Sequence, residues 1–255
     1  MNIHQAVILG IVEGLTEFLP VSSTGHLILT AHLMGLENDN FTKSFEISIQ
    51  MGAILAVLFL YTKRFLRDYQ VWKRILVAFF PTGLLGFLLY KFIKNYLVGN
   101  DKVVVASLFL GGVFLLFADR VCERFCYMED ASKLSLRKAF MIGVFQSLAM
   151  IPGVSRSAST IIGGMLMGLN RKASAEFSFL LAVPTMIVAT FYDVYKSHST
   201  FTNTEWHLLF VGFLSAFLTA LITVKVFIGF ISRHSFLPFG IYRILISFAY
   251  GFYFL

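Results

Sequence analysis

Apolar residues in this chain fall into runs much longer than the alternation of a strand or the single apolar face of a soluble helix. A bilayer core about 30 Å thick takes about 20 residues of helix to cross. Six stretches approach or reach that length, at approximately 42–61, 75–93, 103–118, 173–192, 207–231 and 238–255. Two more, 3–36 and 138–168, are broken in the middle by Pro20-Val-Ser-Ser-Thr-Gly25 and Pro152-Gly-Val-Ser-Arg-Ser157. Each half has about 12 to 16 residues, or roughly 18 to 24 Å at 1.5 Å per residue, too short to span alone. The pattern predicts an all-α integral membrane protein with six transmembrane helices and two re-entrant helix hairpins.

The two broken stretches repeat each other at an offset of 133. Ala6, Gly10, Leu15, Val21, Ser22, Ile28, Leu33, Met34, Gly35 and Leu36 recur as Ala139, Gly143, Leu148, Val154, Ser155, Ile161, Leu166, Met167, Gly168 and Leu169. Shared hydrophobic bias accounts for Leu and Ile matches but not for Ser22 with Ser155 or Gly10 with Gly143. One membrane domain over 1–255 with repeat halves of about 1–120 and 133–255 is expected. A hairpin returns to its own side and three crossings do not, so the second half is inverted relative to the first. Broken helices at matching places of inverted repeats point to a binding site near the bilayer midplane.

Composition agrees with a bilayer protein: the 255 residues are 57% hydrophobic and mean hydropathy is +0.77. The formal charge of +7 does not imply nucleic acid, because the basic residues sit in short clusters between apolar runs rather than on one face. They act as topology signals. With the 62–74 connection in the cytoplasm, thirteen Lys and Arg, among them Lys63, Arg64, Arg137 and Lys172, fall inside and five, Lys43, Lys91, Lys94, Lys102 and Lys196, outside. Both termini are then external. Glu13 and Glu17 interrupt the apolar core that a signal peptide would need, so the N-terminus is expected to be retained. Cys122 and Cys126, at i, i+4, match neither a common zinc spacing nor a disulfide framework and receive no chemistry.

Ionised side chains inside membrane segments are expensive and call for a partner or a task. Glu13 and Glu17 share one face of the first half-helix, the geometry of a divalent-cation site or of a base; the plain alternative is an interfacial helix with its acidic face in water. Ser22, Ser23 and Thr24 precede the second half-helix, as Ser155, Arg156 and Ser157 do in the second repeat. Singly such clusters are helix caps. Related by inverted symmetry, they bring two helix N-termini toward one point, an anion site. Arg156 fits phosphate by its fork. His26, one turn beyond Ser23, suits proton transfer, or else bonds a nearby backbone carbonyl.

The runs Glu13–His26 (EGLTEFLPVSSTGH) and Pro152–Thr160 (PGVSRSAST) resemble the two signature motifs of the bacterial undecaprenyl-diphosphate phosphatases, the bacitracin-resistance type. The resemblance extends to FSFLLAVP at 177–184 and to the pair Tyr242-Arg243. It implies hydrolysis of undecaprenyl diphosphate to the monophosphate, recycling of the peptidoglycan carrier lipid, a divalent cation (Mg or Ca), and an active site facing outside the inner membrane. It places function on Glu13, Glu17, Ser23, His26, Ser155, Arg156 and Thr160. The expected roles are a cation on Glu13 and Glu17, diphosphate on Arg156 and the two helix N-termini, and donors from Ser22, Thr24, Ser155, Ser157 and Thr160. Ser23 activated by His26 is the expected nucleophile, with water activated by Glu17 or His26 as the competing version. A transporter or flippase of a phosphorylated lipid or small anion is the alternative from another class. The expected partners are the polyprenyl diphosphate and the bilayer, with a homodimer admitted.

Overall fold

A computed structural model describes residues 1–36, 40–97, 100–197 and 202–254. Eleven α-helices of the described residues follow in order: α1 (Ile3–Thr16), α2 (Ser23–Leu33), α3 (Asn40–Leu60), α4 (Thr62–Arg67), α5 (Tyr69–Phe92), α6 (Asp101–Phe125), α7 (Leu136–Ser147), α8 (Arg156–Leu166), α9 (Arg171–Ser197), α10 (Asn203–Ile231) and α11 (Leu237–Phe254). Six of them, α3, α5, α6, α9, α10 and α11, are long and apolar enough to cross a membrane, as the hydrophobic runs predict. The protein is a multi-pass, all-helical membrane protein. Large side chains such as Phe87, Phe252, Ile222 and Leu88 lie exposed on its outside, which apolar surface in contact with lipid tolerates and water does not.

Two helix starts differ from expectation. α5 begins at Tyr69 rather than near 75, because polar residues continue a helix into the interface without contributing to the apolar run. α10 begins at Asn203 rather than near 207. There Thr202 and Glu205 form a capping box, the Thr202 hydroxyl accepting from the Glu205 N–H at 3.3 Å and Glu205 Oε2 accepting from the Thr202 N–H at 2.6 Å, a sequence signal of a helix start. Lys94, Cys122, Arg124 and Lys196 have side chains outside the described residues, as does the whole of His198. Cys126, given no chemistry above, is disulfide-bonded.

The broken stretches fold as paired short helices, α1 with α2 and α7 with α8. Positions 133 apart share their backbone conformation. Ser22 (φ 73°, ψ 92°) and Ser155 (φ 75°, ψ 113°) are the only non-glycine residues with positive φ among those described. Gly35 (φ 63°) and Gly168 (φ 102°) end α2 and α8 in the left-handed region, where glycine is free of the Cβ penalty. A serine held at positive φ costs free energy and persists only where the surroundings over-determine it, as they do at functional sites.

Packing is crosswise. α1 lies against α10 and α7 against α5, while α3 meets α9 and α6 meets α11. The close approach depends on glycine at matching positions: a Cβ on Gly10 would strike the Gly212 carbonyl on α10, and one on Gly143 the Ala78 carbonyl on α5. At the side predicted to be cytoplasmic, Arg64 pairs with Glu176 and, at 3.4 Å, with Asp130. Hydrogen bonds from Ser132, with Arg64 nearby, hold the Asp130 carboxyl below its ordinary value. Arg171 bonds Asp119 at 2.7 Å, and Asp119 also accepts from the Phe236 N–H at 2.7 Å.

Candidate active site

The two helix pairs meet at their breaks. Ser23 and Arg156 are the first residues of α2 and α8, 133 positions apart, and both reach the same carboxylate. Ser23 Oγ donates to Glu17 Oε2 at 2.6 Å, and the Arg156 guanidinium donates to Glu17 Oε1 at 2.9 Å. Glu17 caps the C-terminus of α1 and is 5% exposed. An anionic group therefore already lies between the two helix starts, where unpaired N–H groups and the helix dipole favour negative charge. Arg156 is fixed further by the Ser178 carbonyl at 3.0 Å and lies over the Phe18 ring at 5.8 Å, while its Nε is buried without a partner.

Glu13, one turn before Glu17, is fully buried, and neither of its carboxylate oxygens has a hydrogen-bond partner. That excludes the reading of α1 as an interfacial helix with its acids in water. Glu17, Glu46 and Arg156 are its charged neighbours. Glu46 was missed in the sequence because it stands singly in α3; Phe45 and Ile49 beside it pack with Leu9, which brings that stretch of α3 against α1.

His26 does not engage Ser23 as expected. Its Nδ1 bonds the Ser22 carbonyl at 2.8 Å and its Nε2 the Tyr242 hydroxyl at 2.8 Å, with the two rings nearly parallel at 5.5 Å. The proton of Ser23 is directed to Glu17 instead, so the carboxylate and not the imidazole is the base within reach of that hydroxyl. The i, i+3 spacing set the two side chains on one side of α2 but not within a bond of each other.

Several expected phosphate donors have other partners. Ser22 Oγ accepts from the Gly25 N–H at 3.5 Å and Ser155 Oγ from the Ala158 N–H at 3.2 Å; both are caps. Ser157 Oγ donates to the Phe18 carbonyl at 2.7 Å, tying α8 to the break of the first pair. Thr160, fully buried, has its hydroxyl 2.6 Å from Ser178 Oγ and 2.9 Å from the Arg156 carbonyl, so it orients the groups around Arg156. Thr24 is exposed. For Ser22 and Ser155 the physical reason is shared: a hydroxyl at a helix start satisfies the nearest backbone N–H first.

Sequence reasoning also left Arg243 without a role of its own. It is fully buried, and its guanidinium donates to five carbonyls: Leu108 at 3.3 Å, Pro20 at 3.2 Å, Val154 at 3.1 Å, Ser107 at 3.0 Å and Gly153 at 2.8 Å. One side chain on α11 thus holds the breaks of both helix pairs against α6. Gly111 leaves it room, since a Cβ there would overlap the guanidinium. The signal was present in the sequence, because an arginine inside an 18-residue apolar span is rare without a task.

The arrangement suits phosphoryl chemistry: a cation fork, a hydroxyl on a carboxylate, a second carboxylate with free lone pairs, and two helix N-termini, all shielded from water. Comparisons with known proteins agree. The undecaprenyl-diphosphatase of Aquifex aeolicus is 65% identical over the full length of both chains. Those of Sulfurihydrogenibium sp. and Thermus thermophilus are 56% and 55% identical, each over 98% of this chain and 98% and 97% of their own. The profile of the family described as bacitracin resistance protein BacA matches residues 6–249, and the chain belongs to that family.

Proposed function

We infer that this protein is a membrane phosphatase that hydrolyses undecaprenyl diphosphate to undecaprenyl phosphate and inorganic phosphate, and so returns the carrier lipid to cell-wall synthesis and confers bacitracin resistance. The observation that carries the reading is the convergence of Ser23 and Arg156 on Glu17 in a chain whose relatives bear that activity over their full length. A transporter of a phosphorylated lipid would use the arginine and the helix ends, but gains nothing from a hydroxyl hydrogen-bonded to a carboxylate.

The terminal phosphate enters between the two helix N-termini, where Arg156 exchanges part of its contact with Glu17 for phosphate oxygens. Glu17 takes the proton of Ser23 or of a water in the same place, as that oxygen bonds the terminal phosphorus and the bridging oxygen leaves with the lipid monophosphate. Where Ser23 attacks, the phosphoserine is hydrolysed by water in turn. A base must have its oxygen within about 2.6–3.2 Å of the group that it deprotonates, and Glu17 does. Ser178 and Thr160 hold the guanidinium in position. The unpartnered oxygens of Glu13 fit a hard divalent cation, with Glu13 and Glu17 as its protein ligands. Among the described residues no set of three or more His, Cys, Asp or Glu is arranged to hold a metal, so substrate oxygens and water would complete the shell, as is usual for magnesium. When bound, such a cation neutralises charge on the phosphate oxygens.

Purified protein in detergent is expected to release phosphate from undecaprenyl diphosphate, with loss of activity in chelator. Glu13→Gln, which keeps the volume and removes the charge, should move the metal requirement to higher concentration. An unchanged metal titration would remove Glu13 from the cation site, and failure of the wild type to release phosphate without a second compartment would favour transport.

The same reading places the helix pairs as re-entrant hairpins within one domain, the second half inverted, both termini and the site outside the inner membrane. Support comes from the shared backbone at positions 133 apart and from the Lys and Arg distribution. In a background with Cys122 and Cys126 replaced, Asn203→Cys should react with an impermeant thiol reagent in intact cells and Arg137→Cys only after permeabilisation. The reverse result would invert the orientation.

A further inference from the structure

The His26–Tyr242 pair has no part in the chemistry assigned to Glu17, Ser23 and Arg156. His26 is 7% exposed, and Tyr242, on α11, is 42% exposed. Because Nδ1 faces the Ser22 carbonyl it must carry the proton, which leaves Nε2 of the neutral ring to accept from the tyrosine hydroxyl. The pair therefore holds an O–H donor that can turn to an incoming oxygen and a ring that can take up a proton and become a second donor. It lies one turn along α2 from Ser23, and residues three apart on a helix have Cβ atoms about 5–6 Å from one another, a span that the two phosphates of a diphosphate bridge. Burial also has a direction. Glu17 and Ser23 are 5% and 8% exposed, whereas Tyr242 stands beside Ile241 and Leu245, which are 45% and 62% exposed. That apolar exposed side is where a lipid chain would reach the bilayer.

We propose that the site has two phosphate subsites, with the terminal phosphate at Ser23 and Arg156 and the lipid-bonded phosphate at His26 and Tyr242, so that Tyr242 is a residue that reads the retained half of the substrate. This rests on the diphosphatase reading. The tyrosine hydroxyl gives the lipid phosphate a donor that free inorganic phosphate, held at Arg156, does not use.

The two products probe the two subsites. In detergent, Tyr242→Phe should raise the inhibition constant of undecaprenyl monophosphate about tenfold, the scale of one hydrogen bond to a charged group, and leave that of inorganic phosphate unchanged. KM should rise more than kcat falls. If both inhibition constants rise together, if only that of inorganic phosphate rises, or if neither moves, the assignment is overturned. Should Y242F unfold at lower temperature than the wild type, the same comparison is made well below its midpoint, where an unchanged inhibition constant for inorganic phosphate reports a folded site and that for the lipid monophosphate must still rise. The parent reading fails separately, through absence of phosphate release by the wild type.

Discussion

Arg156→Ala is expected to lower kcat/KM by on the order of 100-fold or more, because loss of one member of a buried charged pair costs about 3–5 kcal/mol and each 1.4 kcal/mol is tenfold. Two effects add. The phosphate loses its planar two-pronged partner, and Glu17 is left as a buried carboxylate without its cation at 2.9 Å. Arg156→Lys keeps the charge but not the fork and should be intermediate. The ion pair with Glu17 raises a rival account in which Arg156 only stabilises the meeting of the helix pairs. Thermal unfolding measured beside activity separates the two. A folded, inactive alanine variant supports phosphate ligation; an active one, or one inactive only because it has unfolded, removes that role.

Arg243→Met should have the larger effect on folding. Ser107 and Leu108 lie within α6, so their carbonyls retain helical partners, but Pro20, Gly153 and Val154 sit in the breaks. Each buried acceptor left unsatisfied costs about 1–3 kcal/mol. The three together exceed the cost of most single substitutions. At about 2–4 °C per kcal/mol for a chain of this size, Tm should fall by about 10 °C or more. Arg243→Lys has three donors and cannot reach all the carbonyls, so it should recover only part. Gly111→Ala crowds the same guanidinium and should resemble Arg243→Met in both Tm and activity. A methionine variant with wild-type Tm and activity would mean that the breaks hold together without Arg243.

The fold was legible wherever information is local or repeated. Hydrophobic runs of about 20 residues specify a crossing by length alone, and Ser22 and Ser155 announced the two breaks because the chain states them twice. The meeting of the two helix starts followed from the same symmetry; the sequence offered phosphate as the anion between them and a pairing of Arg156 with Glu13 or Glu17 as the rival, and the structure has Arg156 on Glu17. What stayed hidden depends on tertiary contact with groups that every residue has. The acceptors of Arg243 are backbone carbonyls, which no sequence pattern marks, and Tyr242 meets His26 across 216 positions. The pairing of Ser23 with His26 failed for a related reason: spacing on a helix fixes which side a group is on, but a carboxylate at the end of the preceding helix was nearer.

The crosswise packing sets an order of events during biosynthesis. α1 contains Glu13 and Glu17, yet the surface against which it packs is α10, which begins at Asn203, so the first helix made must wait for almost the last. α7 meets its counterpart α5 as soon as it emerges. The second helix pair can therefore settle early, while the acidic pair has its native surroundings only when translation is nearly complete. Contacts so distant in sequence close late, and until then two carboxylates on a short helix depend on the membrane interface or the insertion machinery for solvation. Glu13 and Glu17 therefore come to rest against their native surface only after the chain through α10 has been delivered to the membrane.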